Sequence, residues 1–179
     1  VFDKVHTIEL SGEGMQSYYL ADVGDGDADG LQELLLYGRE PFYVKLYEAS
    51  GVNQYPSSVV WEYPTVAWPE GAQIADTDND GKKEIIVGGL LGDYNVVSDI
   101  YRVKIFENTG NNQYDEVFDM GFSDITTSQN LIVANDLDND GKKEILFGGR
   151  ISSNFQLYML ESIGDNQYEI TWSGNVHEN

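Results

Sequence analysis

The residues best suited to chemistry in this chain lie in one acidic stretch, residues 136–144, with the sequence Asp-Leu-Asp-Asn-Asp-Gly-Lys-Lys-Glu. Carboxylates occupy its first, third, fifth and ninth positions, and glycine occupies the sixth. Calcium takes six to eight oxygen ligands at about 2.3–2.6 Å, and four carboxylates with a backbone carbonyl and water would complete such a shell. A glycine at the sixth position allows the sharp turn that such a loop needs. The spacing therefore indicates a loop folded around a calcium ion.

The same pattern occurs three times, and we number the acidic loops in chain order as first (25–33), second (76–84) and third (136–144). An apolar run follows each loop and predicts a strand. In the first loop, a register beginning at Asp22 would put Gly24 and Gly26 at ligand positions, so the register beginning at Asp25 is preferred. Three copies with one spacing argue against acids that merely decorate turns. The predicted carboxylate ligands are Asp25, Asp27, Asp29 and Glu33; Asp76, Asp78, Asp80 and Glu84; and Asp136, Asp138, Asp140 and Glu144.

These loops predict a structural role for the metal. Two like charges 4 Å apart repel by about 4 kcal/mol at an effective dielectric constant of 20, so four carboxylates in nine residues require a cation. Magnesium fits less well because it prefers few carboxylates and retained waters. An EF-hand would need a carboxylate at position twelve and flanking helices, whereas position twelve here is Leu36, Val87 or Phe147, each in a predicted strand.

A second marker recurs in step with the loops. The pattern Gly-x-Asn-Gln-Tyr occupies residues 51–55, 110–114 and 164–168, which we call the first, second and third Asn-Gln-Tyr turns. Glycine and asparagine tolerate positive φ, so each segment predicts a tight turn. The turns could present a sugar-binding rim, or they could be hairpin turns whose tyrosines pack between neighbouring sheets. Two signatures repeating every 50–60 residues, with short β-rich runs between them, favour propeller blades.

The predicted fold class is all-β, with three four-stranded antiparallel blades and one extra outer strand at the N-terminus. We expect a single propeller-type domain over 1–179, in which 1–10 is the outer strand of a preceding blade and the blades span 16–63, 72–120 and 130–173. Propellers close with four to eight blades. Three blades leave the ring open, so a homo-oligomer or further blades of a longer chain are the expected means of completion. The predicted blade strands are Tyr18–Ala21, Glu33–Tyr37, Tyr43–Glu48 and Val59–Tyr63; Gln73–Ala75, Glu84–Val87, Tyr101–Glu107 and Glu116–Met120; and Leu131–Ala134, Glu144–Phe147, Phe155–Glu161 and Glu169–Trp172.

The pattern Asp-x-Asp-x-Asp-Gly-x-x-Glu between two strands resembles the FG-GAP and VCBS repeats, which include the calcium-binding blades of integrin α-subunit propellers. The resemblance implies that the loop joins the first two strands of a blade and binds Ca²⁺, up to three ions per chain. It also implies a seventh-position ligand, the backbone carbonyl of Leu31, Lys82 or Lys142. The Phe-Gly and Gly-Ala-Pro elements of the family name are missing, and 147–149 (Phe-Gly-Gly) is the nearest approach.

Composition excludes several classes of function. The formal net charge is −21, with only ten Lys and Arg, which argues against nucleic-acid or anionic-membrane partners. No apolar run approaches the ~20 residues of a membrane-spanning helix, so membrane insertion is not expected. The chain has no cysteine, and its only histidines are His6 and His177 near the two ends. Catalysis therefore finds little support, and we expect no enzyme.

The expected function is that of a calcium-stabilised extracellular or cell-surface repeat protein with a structural or binding role. Self-assembly into a ring or filament, or adhesion to a carbohydrate or protein ligand, would suit an open set of blades. The alternative is a non-catalytic propeller portion of a secreted polysaccharide-active enzyme. The basic pairs at 82–83 and 142–143 are interpreted as solvated residues beside the acids. The three tryptophans, Trp61, Trp68 and Trp172, are interpreted as packing between blades.

Overall fold

The computed structural model of this protein describes residues 17–39, 41–65, 67–91, 100–133 and 136–176. All the regular secondary structure within those ranges is β-strand. No helix long and apolar enough to cross a membrane occurs among the described residues. The predicted outer strand at 1–10 lies outside the described residues. The strands are β1 (Ser17–Gly24), β2 (Glu33–Arg39), β3 (Tyr43–Ala49), β4 (Pro56–Pro64), β5 (Pro69–Ala75), β6 (Glu84–Gly89), β7 (Tyr101–Gly110), β8 (Gln113–Phe122), β9 (Thr127–Val133), β10 (Glu144–Ile151), β11 (Asn154–Gly164) and β12 (Gln167–Val176).

The strands form three separate four-stranded antiparallel meanders, β1–β4, β5–β8 and β9–β12, each paired in sequence order. We call them the first, second and third sheets. The all-β prediction is confirmed, and each predicted blade strand overlaps one observed strand. Most observed strands are longer because backbone pairing continues past the apolar pattern into the turns. Ala134, at the end of one predicted strand, lies outside the described residues.

The three sheets pack in chain order through their first strands. Strand β5 contacts β1 and β2 of the first sheet, and β9 contacts β5 and β6 of the second. One apolar core joins the first sheet to the second, and another joins the second sheet to the third. Neighbouring residues of β6 serve different cores, because Ile85 and Val87 face the first sheet while Ile86 faces the third. Every residue of β6 is accordingly buried, as expected of a strand covered on both faces.

The meander places the two repeated markers at the same end of each sheet. The acidic loops join the first and second strands, and the Asn-Gln-Tyr turns join the third and fourth strands. Alternate connections of an antiparallel meander lie at the same end of the sheet, so the loops and turns of neighbouring sheets can meet at that end. The turns use asparagine as their positive-φ residue, with φ of 63° at Asn53 and 56° at Asn112 and Asn166.

Candidate metal centre

Each acidic loop brings its four predicted carboxylates into one cluster. In all three loops the four side chains offer oxygen atoms that lie within 4.8 Å of one another. The first three carboxylates come from the loop, and the glutamate comes from the first residue of the following strand, β2, β6 or β10. Several acidic clusters that could hold a metal ion are thus present, each tying a loop to the strand that leaves it.

The ninth-position glutamates are the most informative members of these clusters. Glu33, Glu84 and Glu144 are all fully buried. In each, Oε2 accepts a hydrogen bond of 2.6 Å from the backbone N–H of the second loop residue. The other oxygen, Oε1, is buried and accepts no hydrogen bond from the described residues. A buried carboxylate oxygen without a donor is costly, and a cation in the cluster would satisfy it.

The aspartates that begin the first and second loops also have a buried carboxylate oxygen without a hydrogen-bond donor. Oδ1 of Asp25 and Oδ1 of Asp76 are buried and accept no hydrogen bond from the described chain. Both oxygens belong to clusters whose other donors are also carboxylates, and oxygen donors of this kind suit a hard divalent cation. The residues present therefore fit a metal ion on two grounds, the chemistry of the donors and their unsatisfied buried atoms.

Burial makes two of the glutamates poor anions in the metal-free protein. The pKa of Glu33 and that of Glu84 are raised from 4.5 to about 7, and desolvation by burial is the largest cause. Neighbouring loop aspartates contribute to this rise, while hydrogen bonds from Gly26 and from Thr77 oppose it. An acid with a raised folded-state pKa stabilises the folded state less as the pH rises from the unfolded value through the folded one. Without a cation, ionising these side chains near neutral pH thus works against folding.

The backbone of the three loops is nearly the same. The fourth position has positive φ in each, at 61° for Ala28, 63° for Asn79 and 66° for Asn139. The sixth-position glycines also have positive φ, between 91° and 95°, with open space where a Cβ would stand. Glycine is required there by conformation rather than by crowding. The side chains of the fifth-position aspartates accept hydrogen bonds from the loop backbone. In the second loop, Lys82 N–H donates to Asp80 Oδ1 at 2.8 Å.

Asp22 has a different role from the loop carboxylates. Its Oδ2 accepts a hydrogen bond from the backbone N–H of Ile74 at 3.0 Å, linking β1 to β5 of the next sheet. A bulge between Leu20 and Asp22 sets this orientation. The acidic cluster of the first loop contains Asp25 and not Asp22.

The first acidic loop is held by the second Asn-Gln-Tyr turn. Asn112 N–H donates to Asp27 Oδ2 at 2.8 Å, and Asn112 Nδ2 donates to Glu48 Oε2 at 2.9 Å. Tyr114 packs over Gly26, where an added Cβ would lie only 2.5 Å from the tyrosine hydroxyl. The turn of one sheet therefore docks on the acidic loop of the preceding sheet.

The second loop and the third turn repeat this joint with the same atoms. Asn166 N–H donates to Asp78 Oδ2 at 2.8 Å, and Asn166 Nδ2 donates to Glu107 Oε2 at 2.7 Å. Tyr168 is hydrogen-bonded through its hydroxyl to Thr77 Oγ1 at 2.8 Å. Of the two uses considered for the turns, packing between sheets is the one observed for the second and third turns. We call this arrangement the turn–loop joint.

Packing of the tyrosines between sheets was one of the two uses considered for these turns. The hydrogen bonds from the asparagines to the loop carboxylates were not predicted from the sequence, although a signal for them existed. The acidic loops and the Asn-Gln-Tyr turns recur together along the chain. A contact that is repeated between neighbouring sheets requires a repeated loop and a repeated turn. The joint also creates a fourth acidic cluster, formed by Asp78, Glu107 and Asp165. Glu107 is already neutralised there, since Lys82 Nζ lies 2.6 Å from its Oε1.

The basic pairs divide into two roles. Lys82 and Lys142 are about half exposed and form ion pairs with their loop acids and with Glu107 or Glu161, close to the solvated role predicted. Lys83 and Lys143 instead reach across to the preceding loop. Their Nζ atoms donate to the backbone carbonyls of Asp25 and Asp76, each at 2.6 Å. The interpretation as solvated residues fails for this second pair because the packing of the sheets brings the preceding loop within reach.

The turn–loop joint gives a direct test. We expect Asn166→Asp to lower the free energy of unfolding by about 2 kcal/mol in calcium, because it removes the donor to Glu107 and sets two carboxylates together. Urea unfolding measures the change. The matched control is Gln167→Glu, which alters charge equally at an exposed neighbour. Equal losses in the two variants would show that the joint contributes nothing specific.

A comparison of the sequence with protein-family models and with curated proteins finds no match. Fold and site therefore define the class: an all-β repeat protein of three antiparallel sheets with acidic clusters that could hold a metal ion. The carboxylates predicted from each loop lie together as one cluster, while the predicted carbonyl ligands of Leu31, Lys82 and Lys142 stay a prediction.

Proposed function

We propose that this chain is a calcium-stabilised β-propeller repeat protein of the extracellular space or cell surface, with a structural and binding role exerted through assembly. The observation that carries the proposal is the buried glutamate oxygen without a donor, repeated in three loops of one spacing. Calcium is the ion of choice because each site supplies four carboxylates, more than magnesium favours. Extracellular calcium would keep such sites filled.

The propeller part of the proposal draws on how the sheets are built and stacked. Each sheet is a four-stranded meander, and its first strand contacts the first strand of the next sheet. Propeller blades are four-stranded sheets arranged around a central channel, with their first strands innermost. The FG-GAP and VCBS resemblance agrees with this arrangement. Under the proposal, calcium holds the loop between the two inner strands of each blade.

Calcium titration by calorimetry and metal analysis tests the proposal. We expect three ions per chain, with two remaining in Asp78→Ala or in Asp138→Ala, because each aspartate serves a different loop. The matched control is Asp115→Ala, which removes an exposed acid outside the loops and should leave three ions. Binding of no calcium, or loss of an equal share in the control, would overturn the proposal.

A further inference from the structure

Consecutive acidic loops are joined by one repeated contact, made by the lysine at position eight of the second and third loops. Lys83 of the second loop donates from Nζ to the backbone carbonyl of Asp25, 2.6 Å away. Lys143 of the third loop donates in the same way to the carbonyl of Asp76, also at 2.6 Å. Neither ammonium forms an ion pair with a carboxylate of the described residues. We call these side chains the bridging lysines, because they anchor backbone rather than neutralise an acid.

The carbonyl that each bridging lysine holds belongs to a peptide unit that also binds a buried glutamate. In the first loop, the carbonyl of this peptide accepts Lys83, and its N–H, that of Gly26, donates to Glu33 Oε2 at 2.6 Å. The peptide is planar, so a bond at one end orients the other end, and hydrogen bonds in such a chain strengthen one another. One peptide therefore connects a lysine of the second loop to a glutamate of the first.

The second and third loops repeat this arrangement. Lys143 holds the carbonyl of Asp76, and the N–H of Thr77, on the same peptide, donates to Glu84 Oε2 at 2.6 Å. The residue whose carbonyl is held, Asp25 or Asp76, is also the first carboxylate of its cluster. Each bridging lysine thus orients, through one peptide, both the first and the last carboxylate of the preceding loop.

The third loop has no such lysine among the described residues, and its first aspartate is arranged differently. Asp136 Oδ1 accepts a hydrogen bond from the N–H of Asp140, and Asp136 Oδ2 accepts one from the N–H of Gly141. In the two loops that a bridging lysine holds, Oδ1 of Asp25 and Oδ1 of Asp76 are instead buried and accept no hydrogen bond from the described chain. The lysine contact therefore coincides with an aspartate oxygen that a metal ion could take.

We propose that Lys83 is a positioning residue for the metal site of the first loop, and Lys143 one for the metal site of the second loop. The inference deepens the proposed function and rests on it, because the ion to be positioned is calcium. Each of these two sites then consists of four carboxylates from one loop and a lysine from the loop that follows. Neighbouring sheets thereby contribute to a single metal centre.

A bridging lysine has two opposite effects on calcium binding. Its charge repels a cation through space, although salt screens this repulsion over about 8 Å. Its hydrogen bond holds a peptide with two ligands in place before the ion arrives, which removes an ordering cost from binding. Both bridging lysines are partly exposed to solvent, which weakens the repulsion but leaves the geometry of the contact unchanged. Removal of the lysine is therefore expected to weaken calcium binding.

A calcium titration followed by NMR resolves the three sites in the whole chain. The backbone amide signals of the sixth-position glycines, Gly30, Gly81 and Gly141, report one loop each. We expect Lys83→Met to weaken calcium binding at Gly30 about 10-fold, or about 1.4 kcal/mol, which is close to the cost of ordering the backbone of one residue. Binding at Gly81, in the loop that contains the substitution, should change by less than about 2-fold, as for an ordinary surface substitution.

Lys143→Met is the matched variant, because it changes the same residue type at the same loop position. We expect the weakened site to be the second loop, at Gly81, while Gly141 in the substituted loop is unaffected. The loss should be smaller, about 3-fold, because Asn79 Nδ2 also donates to the carbonyl of Gly141 at 2.9 Å and gives these two loops another contact. Ala28 occupies the equivalent position of the first loop and has no side-chain donor. If Lys83→Met does not fold, Lys143→Met carries the same test.

Lys83→Arg separates the hydrogen bond from a general loss of stability. Arginine keeps a cationic donor that can reach the carbonyl of Asp25, so calcium binding at Gly30 should be tighter than in Lys83→Met. A lysine that only stabilised the fold would lower the free energy of unfolding equally in calcium and in EGTA, and it would not single out one site. Urea unfolding of each variant in both conditions measures this difference.

Four results would overturn the inference. They are unchanged or tighter binding at Gly30 in Lys83→Met, an equal loss at Gly81 in that variant, binding in Lys83→Arg no tighter than in Lys83→Met, and a loss at Gly141 rather than Gly81 in Lys143→Met. Each of them leaves the calcium sites themselves standing, so the proposed function survives. If calcium shifts none of the three glycine signals in the natural sequence, the proposed function fails, and the inference fails with it.

Discussion

Chelation of calcium is expected to lower the melting temperature of this protein by about 20 °C. At free calcium about 100 times the dissociation constant, one site that binds only the folded state adds about 2.7 kcal/mol. Three such sites together add about 8 kcal/mol, which is comparable with the whole stability of an ordinary domain, about 5–15 kcal/mol. For a chain of this size, 1 kcal/mol corresponds to roughly 2–4 °C in melting temperature.

The physical reason for so large an effect is that removal of the ion does more than empty a site. Three glutamates remain fully buried with an oxygen that the described chain does not satisfy. The same loops anchor the two observed turn–loop joints through Asp27 and Asp78. Loosening the loops therefore weakens the contacts between sheets as well as each hairpin.

Circular dichroism melts in excess EGTA and in excess calcium measure this prediction. Returning calcium should restore the higher melting temperature, and magnesium at the same concentration should restore less of it. A melt unchanged by EGTA would show that the acids stabilise nothing through a metal, and the proposed function would fail with it.

Glu84→Gln is expected to have opposite effects with and without calcium. In calcium, the variant loses the ion of the second loop, so metal analysis finds two ions and the free energy of unfolding falls by about 3 kcal/mol. In EGTA at pH 8, the same variant should be more stable than the natural sequence by about 1–2 kcal/mol, because it removes a buried carboxylate that has no counter-charge.

The reversal follows from the two oxygens of this side chain. Oε2 accepts hydrogen bonds from the N–H and the hydroxyl of Thr77, each at 2.6 Å, and a glutamine oxygen can accept both in its place. Oε1 faces the acidic cluster and needs a cation, a need that a glutamine nitrogen does not share. Glutamine thus preserves the hairpin while removing the reason for the metal.

Urea unfolding of both proteins in calcium and in EGTA provides the four free energies required. The matched control is Glu116→Gln, which removes the same charge from a partly exposed partner of Lys104. Lys104 keeps a second partner, Asp119, and Glu116 itself is partly solvated, so the loss should be about 0–1 kcal/mol, with no dependence on calcium. A Glu84→Gln variant that loses stability equally in both conditions would argue for a purely structural glutamate.

Local spacing explains why so much could be predicted from the sequence. In an acidic loop of nine residues, the candidate ligands are close together in the sequence. A hairpin likewise pairs strands that are neighbours along the chain. The three loops, their carboxylates and the overlap of predicted with observed strands all follow from contacts of this short range.

The tertiary structure decided which loop meets which turn. Asn112 and Asp27 are 85 residues apart and Asn166 and Asp78 are 88 apart, so neither contact can be read from local pattern. The same holds for Lys143, whose reach to the carbonyl of Asp76 depends on how two sheets stack. Three acidic hairpins were determined by sequence alone, because each cluster closes within a single loop. Their linkage into a series required the packing of whole sheets against one another.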